Sequence, residues 1–97
     1  MAHDILIVDD EADIRSAVTG ILEDEGYECR TAGDSGQALE AIRTRRPSLV
    51  LLDIWLQNSA MDGLEILQLL QREQPDLPVV MISGHGTIES AVWAIKE

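Results

Sequence analysis

Leu49-Val50-Leu51-Leu52-Asp53 is a run of four apolar residues closed by a carboxylate. A short apolar run between turn signals reads as a strand covered on both faces, as in a parallel sheet between two layers of helices. An aspartate inside such a strand costs several kcal/mol unless it is paired or metal-bound (~2–7 for an unpaired polar group). At the strand's carboxyl end it faces the crevice where open α/β sheets bind ligands. Asp53 is therefore the leading candidate for the chemical centre.

Two other stretches repeat this form. Asp4-Ile5-Leu6-Ile7-Val8 is apolar and is followed at once by Asp9-Asp10-Glu11; Val79-Val80-Met81-Ile82-Ser83 ends in a hydroxyl. A weaker, more polar strand is expected over residues 27–32, in keeping with a sheet edge. Between the strands, Ile14, Val18, Ile21 and Leu22 recur at helical spacing, with Gly26 as the stop. Gly33-Asp34-Ser35-Gly36 reads as a turn with capping residues. Ala38, Leu39 and Ile42 then form one face of a second helix, closed off by Pro47. Residues 54–62 read as a loop and 63–74 as a third helix, with Leu64, Leu67 and Leu70 inward and Ile66 and Leu69 broadening the stripe. A last helix is expected from about Thr87, after Gly84-His85-Gly86.

The pattern is βαβαβαβα, which implies a parallel sheet with right-handed crossovers. The expected fold class is a flavodoxin-like, doubly wound α/β sheet with strand order 2-1-3-4, in one domain over residues 1–97. The first and third strands are then central neighbours. Asp9, Asp10 and Asp53, distant along the chain, meet where the winding reverses.

Composition narrows the function. The 97 residues carry a formal net charge of −11, which argues against direct contact with a nucleic-acid backbone. The lone Cys29 excludes an intrachain disulfide and reads as a small buried residue. There is no secretory signal and no apolar run of membrane-spanning length, so a soluble cytoplasmic protein is expected. His3 and His85 are isolated and offer no zinc spacing.

Crowded carboxylates repel, and a hard divalent cation relieves the repulsion. Oxygen-only ligands with positions left for water and phosphate suit Mg²⁺. Asp10, at the start of a loop, is the expected direct ligand; Asp9 acts directly or through water; the backbone carbonyl of Trp55 offers another oxygen. Asp53 is placed to attack phosphorus and form an acyl phosphate. The Ser83 hydroxyl and the Gly84 backbone N–H are placed to donate to phosphoryl oxygens. Each residue alone is more often a turn former or cap; the case rests on their landing together on one edge of the sheet.

Ile7-Val8-Asp9-Asp10-Glu11, Leu51-Leu52-Asp53, Asp62-Gly63-Leu64-Glu65 and Met81-Ile82-Ser83-Gly84, in this order and at these separations, resemble the receiver domain of two-component response regulators (CheY-like). The resemblance covers essentially the whole chain. It implies a sensor histidine kinase as phosphodonor, Asp53 as acceptor, Asp9 and Asp10 as Mg²⁺ ligands, Ser83 as switch hydroxyl, and a signalling domain rather than an enzyme. The segment Ile54-Trp55-Leu56-Gln57-Asn58-Ser59-Ala60-Met61 lacks the family's usual Met-Pro pair and is longer. In this it resembles NtrX-type regulators of nitrogen metabolism and respiration, which continue into an ATPase module and a DNA-binding helix-turn-helix.

The family's fifth strand, its terminal lysine, the switch aromatic and the last helix lie beyond these residues; Lys96 falls in the fourth helix pattern and is not that lysine. The resulting expectations are retained Mg²⁺ binding, impaired phosphorylation and switching, and a homodimer formed over the exposed edge at residues 79–83 or through the last helix. Trp93 is expected to point sideways or outward, as a surface aromatic or an interface contact. Two rival classes remain: an Mg²⁺-dependent aspartyl phosphatase or phosphotransferase, and a receiver-like binding module that never takes phosphate.

Overall fold

In the computed structural model, residues 3–57 and 59–82 are described. The elements run β1 (Asp4–Val8), α1 (Ala12–Asp24), β2 (Glu28–Ala32), α2 (Ser35–Thr44), β3 (Leu49–Asp53), α3 (Gly63–Glu73) and β4 (Val79–Ile82). All pairings are parallel and the strand order is β2-β1-β3-β4, as the alternating pattern requires. The expected last helix, with Trp93 and Lys96, lies outside the described residues, as do Ser83, Gly84 and His85.

Register explains the core. Leu6 pairs with Val50 and Val50 with Val79; Val8 pairs with Leu52 and Leu52 with Met81. Side chains alternate across a sheet, so these six share one face. They are all buried, in one cluster with Ala38 and Ile42 of α2 and Ile66, Leu67 and Leu70 of α3. On the opposite face Ile5 and Ile7 are buried, whereas Leu49, Leu51, Val80 and Ile82 are only half-buried. The helix on that side, α1, contains no buried residue. The expectation of strands covered on both faces thus holds fully for one face and partly for the other.

Local chemistry sets the helix ends. Gly26, at φ 92°, supplies the left-handed step after α1, where the Gly26 and Tyr27 N–H groups donate to the carbonyls of Glu23 and Leu22. Helix α2 starts at Ser35, so the expected four-residue turn shrinks to Gly33-Asp34; the Asp34 side chain caps the helix by accepting from Gln37 N–H at 2.8 Å. Asp62 and Glu65 form a reciprocal capping box at the start of α3.

Other boundaries and faces also differ from the expectation: β2 begins at Glu28 rather than at Tyr27, and Cys29 is only half-buried. Helix α3 ends at Glu73, with Gln74 as its cap. Leu64 is 49% exposed and Ile21 65% exposed, so neither lies on an inward face. In α3 the buried stripe is centred on Ile66, Leu67 and Leu70 instead.

Candidate functional site

The last rung of the β1–β3 ladder pairs Val8 with Leu52. The next residues, Asp9 and Asp53, therefore leave neighbouring strands side by side, at about the 4.8 Å spacing of a sheet. With Asp10 on the loop that follows, one carboxylate oxygen from each lies within 4.8 Å of the others. Asp9 is 1% exposed and Asp53 4%, while Asp10 is half-exposed at the mouth. The structure thus brings together the three acids singled out from the sequence, at the carboxyl rim of the two central strands.

The backbone holds these carboxylates in place. Asp9 donates its N–H to the Ala32 carbonyl at 3.1 Å, and its Oδ1 accepts from Glu11 N–H at 2.8 Å. Asp53 Oδ1 accepts from Trp55 N–H at 3.0 Å, and Ile54 N–H donates to the Ile82 carbonyl at 2.8 Å. Asp9 and Asp53 each have one backbone donor, so much of their lone-pair capacity stays free to face their neighbours.

Electrostatics follow from this crowding. Burial pushes the Asp53 carboxyl up to about 6; the Trp55 N–H opposes the shift, while the Asp9 and Asp10 charges and a hydrogen bond to the Asp10 carboxyl reinforce it. Asp9 is also raised, chiefly by burial, against the pull of the Glu11 N–H and the Arg15 charge. Desolvated, mutually repelling acids lower their energy by binding a cation. An all-oxygen donor set from three carboxylates fits a hard divalent ion such as Mg²⁺ better than a thiophilic or imidazole-seeking one.

Several contacts that frame the site were not foreseen from the sequence. Arg15 reaches back from α1 and its Nη1 donates to the Asp9 carbonyl at 2.6 Å, fixing the turn that carries two of the acids. Gly63 opens α3 directly against the backbone of residues 53 and 54: a Cβ there would overlap the Asp53 carbonyl oxygen and lie 2.8 Å from the Ile54 Cα. The glycine was visible beside its capping aspartate, but nothing in sequence spacing shows how close two backbones come. Ser35 and Ser59 join α2 to the loop after β3. The Trp55 side chain is 61% exposed, so any role at the acids falls to its backbone.

Comparison with known proteins agrees with this geometry. The family model described as the response regulator receiver domain matches residues 5–97. The nitrogen assimilation regulatory protein NtrX of Azorhizobium caulinodans is 67% identical over 96 residues, which are 99% of this chain and 21% of that protein. The crystal structure of the receiver domain of NtrX from Brucella abortus superposes with a TM-score of 0.85 at 62% identity, over 96% of this chain and 78% of that one. A CheY-like receiver domain protein from Methanospirillum hungatei gives a TM-score of 0.81 at 33% identity, over 99% and 75% of the two chains. This chain spans about a fifth of the length of the NtrX relative.

Proposed function

This chain belongs to the response regulator receiver domain family, and from that premise we propose that Asp53 accepts a phosphoryl group from a sensor histidine kinase, with Asp9 and Asp10 holding the Mg²⁺ the transfer needs. The observation that carries the reading is the convergence of the Asp9, Asp10 and Asp53 carboxylates within 4.8 Å.

The chemistry is a displacement at phosphorus. An Asp53 carboxylate oxygen forms the new P–O bond as the P–N bond of the donor phosphohistidine breaks, and the electron pair of that bond leaves on the imidazole nitrogen. Mg²⁺ held by Asp9 and Asp10 would supply charge neutralisation for the transfer. The chain's own part is to deliver an ionised Asp53, oriented by the Trp55 N–H, in a pocket narrow enough to favour the cation. The Trp55 carbonyl is proposed as a further metal ligand, Ser83 as the switch hydroxyl and Gly84 as a phosphoryl donor through its N–H. The last two rest on the resemblance at Met81-Ile82-Ser83-Gly84.

The wider role is proposed by likeness to NtrX. Residues 1–97 belong to a single cytoplasmic receiver domain that controls a transcriptional output through ATPase and DNA-binding modules elsewhere in the protein. Among the described residues, no helix is long and apolar enough to cross a membrane.

Intact-mass spectrometry after exposure to acetyl phosphate and Mg²⁺ tests the assignment. The expected result is a gain of one phosphoryl group, which is lost in Asp53→Asn and on chelation of the metal. Labelling that survives Asp53→Asn, or catalytic turnover of phosphomonoesters, would overturn it in favour of a different acceptor or a phosphatase.

A further inference from the structure

The loop between β3 and α3 is chemically part of the acid site at both ends. At its start, Trp55 N–H holds Asp53 Oδ1 at 3.0 Å. At its end, Gly63 presses on the backbone of Asp53 and Ile54. The residues between are more numerous than the turn requires, and loops of this kind lose little by moving unless something fastens them.

Two serines provide the fastening. Ser35 is the first residue of α2, and its N–H is one of the orphan donors of a helix start. It donates to Ser59 Oγ at 2.8 Å. The Ser59 hydroxyl in turn donates to the Met61 carbonyl at 2.8 Å, and Met61 N–H donates to Ser35 Oγ at 3.2 Å. The three bonds close a ring across 26 residues of sequence, and Ser35 is buried. Buried Leu56 and half-buried Met61 pack into the core on either side, so the ring is the polar part of an otherwise apolar anchor.

We propose that Ser35 and Ser59 form a clasp that positions the Asp53–Trp55 turn for metal binding, making both serines positioning residues of the acceptor site. This rests on the reading of Asp53, Asp9 and Asp10 as an Mg²⁺ site. The clasp keeps the loop's far end on α2, which holds Gly63 against Asp53 and limits the orientations open to the acceptor carboxylate. Groups that orient a ligand without touching the metal typically govern affinity, and their loss costs on the order of 10-fold.

The test is a calorimetric Mg²⁺ titration of the protein and its variants, well below their melting temperatures. Ser59→Ala is expected to weaken Mg²⁺ binding on the order of 10-fold, while Ser59→Thr, which keeps the hydroxyl, stays near wild type. Ala60→Gly, which adds freedom to the loop without touching the ring, is the control. Wild-type affinity in Ser59→Ala would overturn the clasp whatever its melting temperature, as would an equal loss in Ala60→Gly. If Ser59→Ala fails to fold, amide exchange in the wild type decides: slowed exchange at Ser35 and Met61 that slows further with Mg²⁺ supports the clasp, and no response to Mg²⁺ overturns it. If the wild type binds Mg²⁺ but takes no phosphoryl group at Asp53, the acceptor reading fails while the affinity ratio still decides the clasp.

Discussion

Gly63 lies so close to Asp53 that no side chain fits between the first turn of α3 and the carbonyl of Asp53. The obstructing atoms are backbone, so they cannot swing aside as a side-chain tip would. Gly63→Ala is therefore expected to destabilise the domain by about 1–3 kcal/mol, the range for forced overpacking. It is also expected to weaken Mg²⁺ binding, because relief of the clash displaces Asp53. Urea denaturation and calorimetry check the two effects; a normal urea midpoint together with normal Mg²⁺ affinity would contradict the close contact.

A second expectation concerns pH. The Asp53 carboxyl, ordinarily near 3.8, is pushed up to about 6 in the fold, and Asp9 is raised as well. A raised acid binds its proton more tightly folded than unfolded. Its contribution is thus most favourable below the unfolded value and is lost as pH rises through the folded value. Without divalent cations, stability should fall between about pH 4 and pH 6. Asp53→Asn keeps an oxygen for the Trp55 N–H but removes the charge, so the variant should be more stable than wild type at pH 7 and show a shallower slope. Urea midpoints at constant ionic strength, compared between the two proteins, isolate the Asp53 share.

Magnesium should reverse that loss. A ligand that binds only the folded state raises stability with the logarithm of its concentration, by about 2.7 kcal/mol at 100 times its dissociation constant. The stabilisation should be larger at pH 8 than at pH 5, where protons compete for Asp53 and Asp9. It should shrink in Asp10→Asn, whose carboxylate is the most accessible of the three. Thermal melts across a Mg²⁺ series at both pH values give the comparison, and equal shifts at pH 5 and pH 8 would count against carboxylate ligation.

At the opposite end of the sheet, Arg30 contacts both carboxylate oxygens of Asp4, at 3.1 and 2.6 Å, and donates to the carbonyls of Ala41 and Arg45 at 2.9 and 2.7 Å. It joins β1 and β2 to the C-terminal turn of α2, where the Ala41 carbonyl also accepts from the Arg45 N–H and Asp4 Oδ2 also accepts from Arg45 Nε at 3.3 Å. Arg30→Met should cost about 1–3 kcal/mol, because it leaves the mostly covered Asp4 carboxylate with only the longer Arg45 contact and removes the donor to the Arg45 carbonyl. Mg²⁺ affinity should be unchanged, since the cluster lies at the far ends of the strands. A loss of metal binding in step with stability would show the two ends to be coupled.

The sheet order and the three acids were legible because both depend on features sequence carries directly. Apolar runs of strand length alternate with helical periods, and a carboxylate follows two of those runs at the same end. Once Val8 and Leu52 are rungs of one ladder, Asp9 and Asp53 have to be neighbours. The outward turn of Leu64 was not legible: Leu64, Ile66, Leu67, Leu69 and Leu70 make a stripe too wide for periodicity to choose its buried edge. The exposure of Ile21 likewise depends on what packs over α1. The Arg15 contact, the close approach at Gly63 and the ring joining Ser35 to Ser59 were not legible, because each involves a backbone atom, and contacts to backbone leave no pattern of residue types.

Helix α1 contains no fully buried residue, whereas α3 places Ile66, Leu67 and Leu70 in the core. Apolar contact is what resists local opening, so α1 should peel from the sheet at a lower free energy than α3. Its amides should be among the first to exchange with deuterium. Asp9 and Asp10 sit on the turn just before α1, and Arg15 ties that helix to the Asp9 carbonyl. Each excursion of α1 therefore strains the mouth that receives the cation, and a bound ion holding that mouth would slow hydrogen exchange along a helix it never touches.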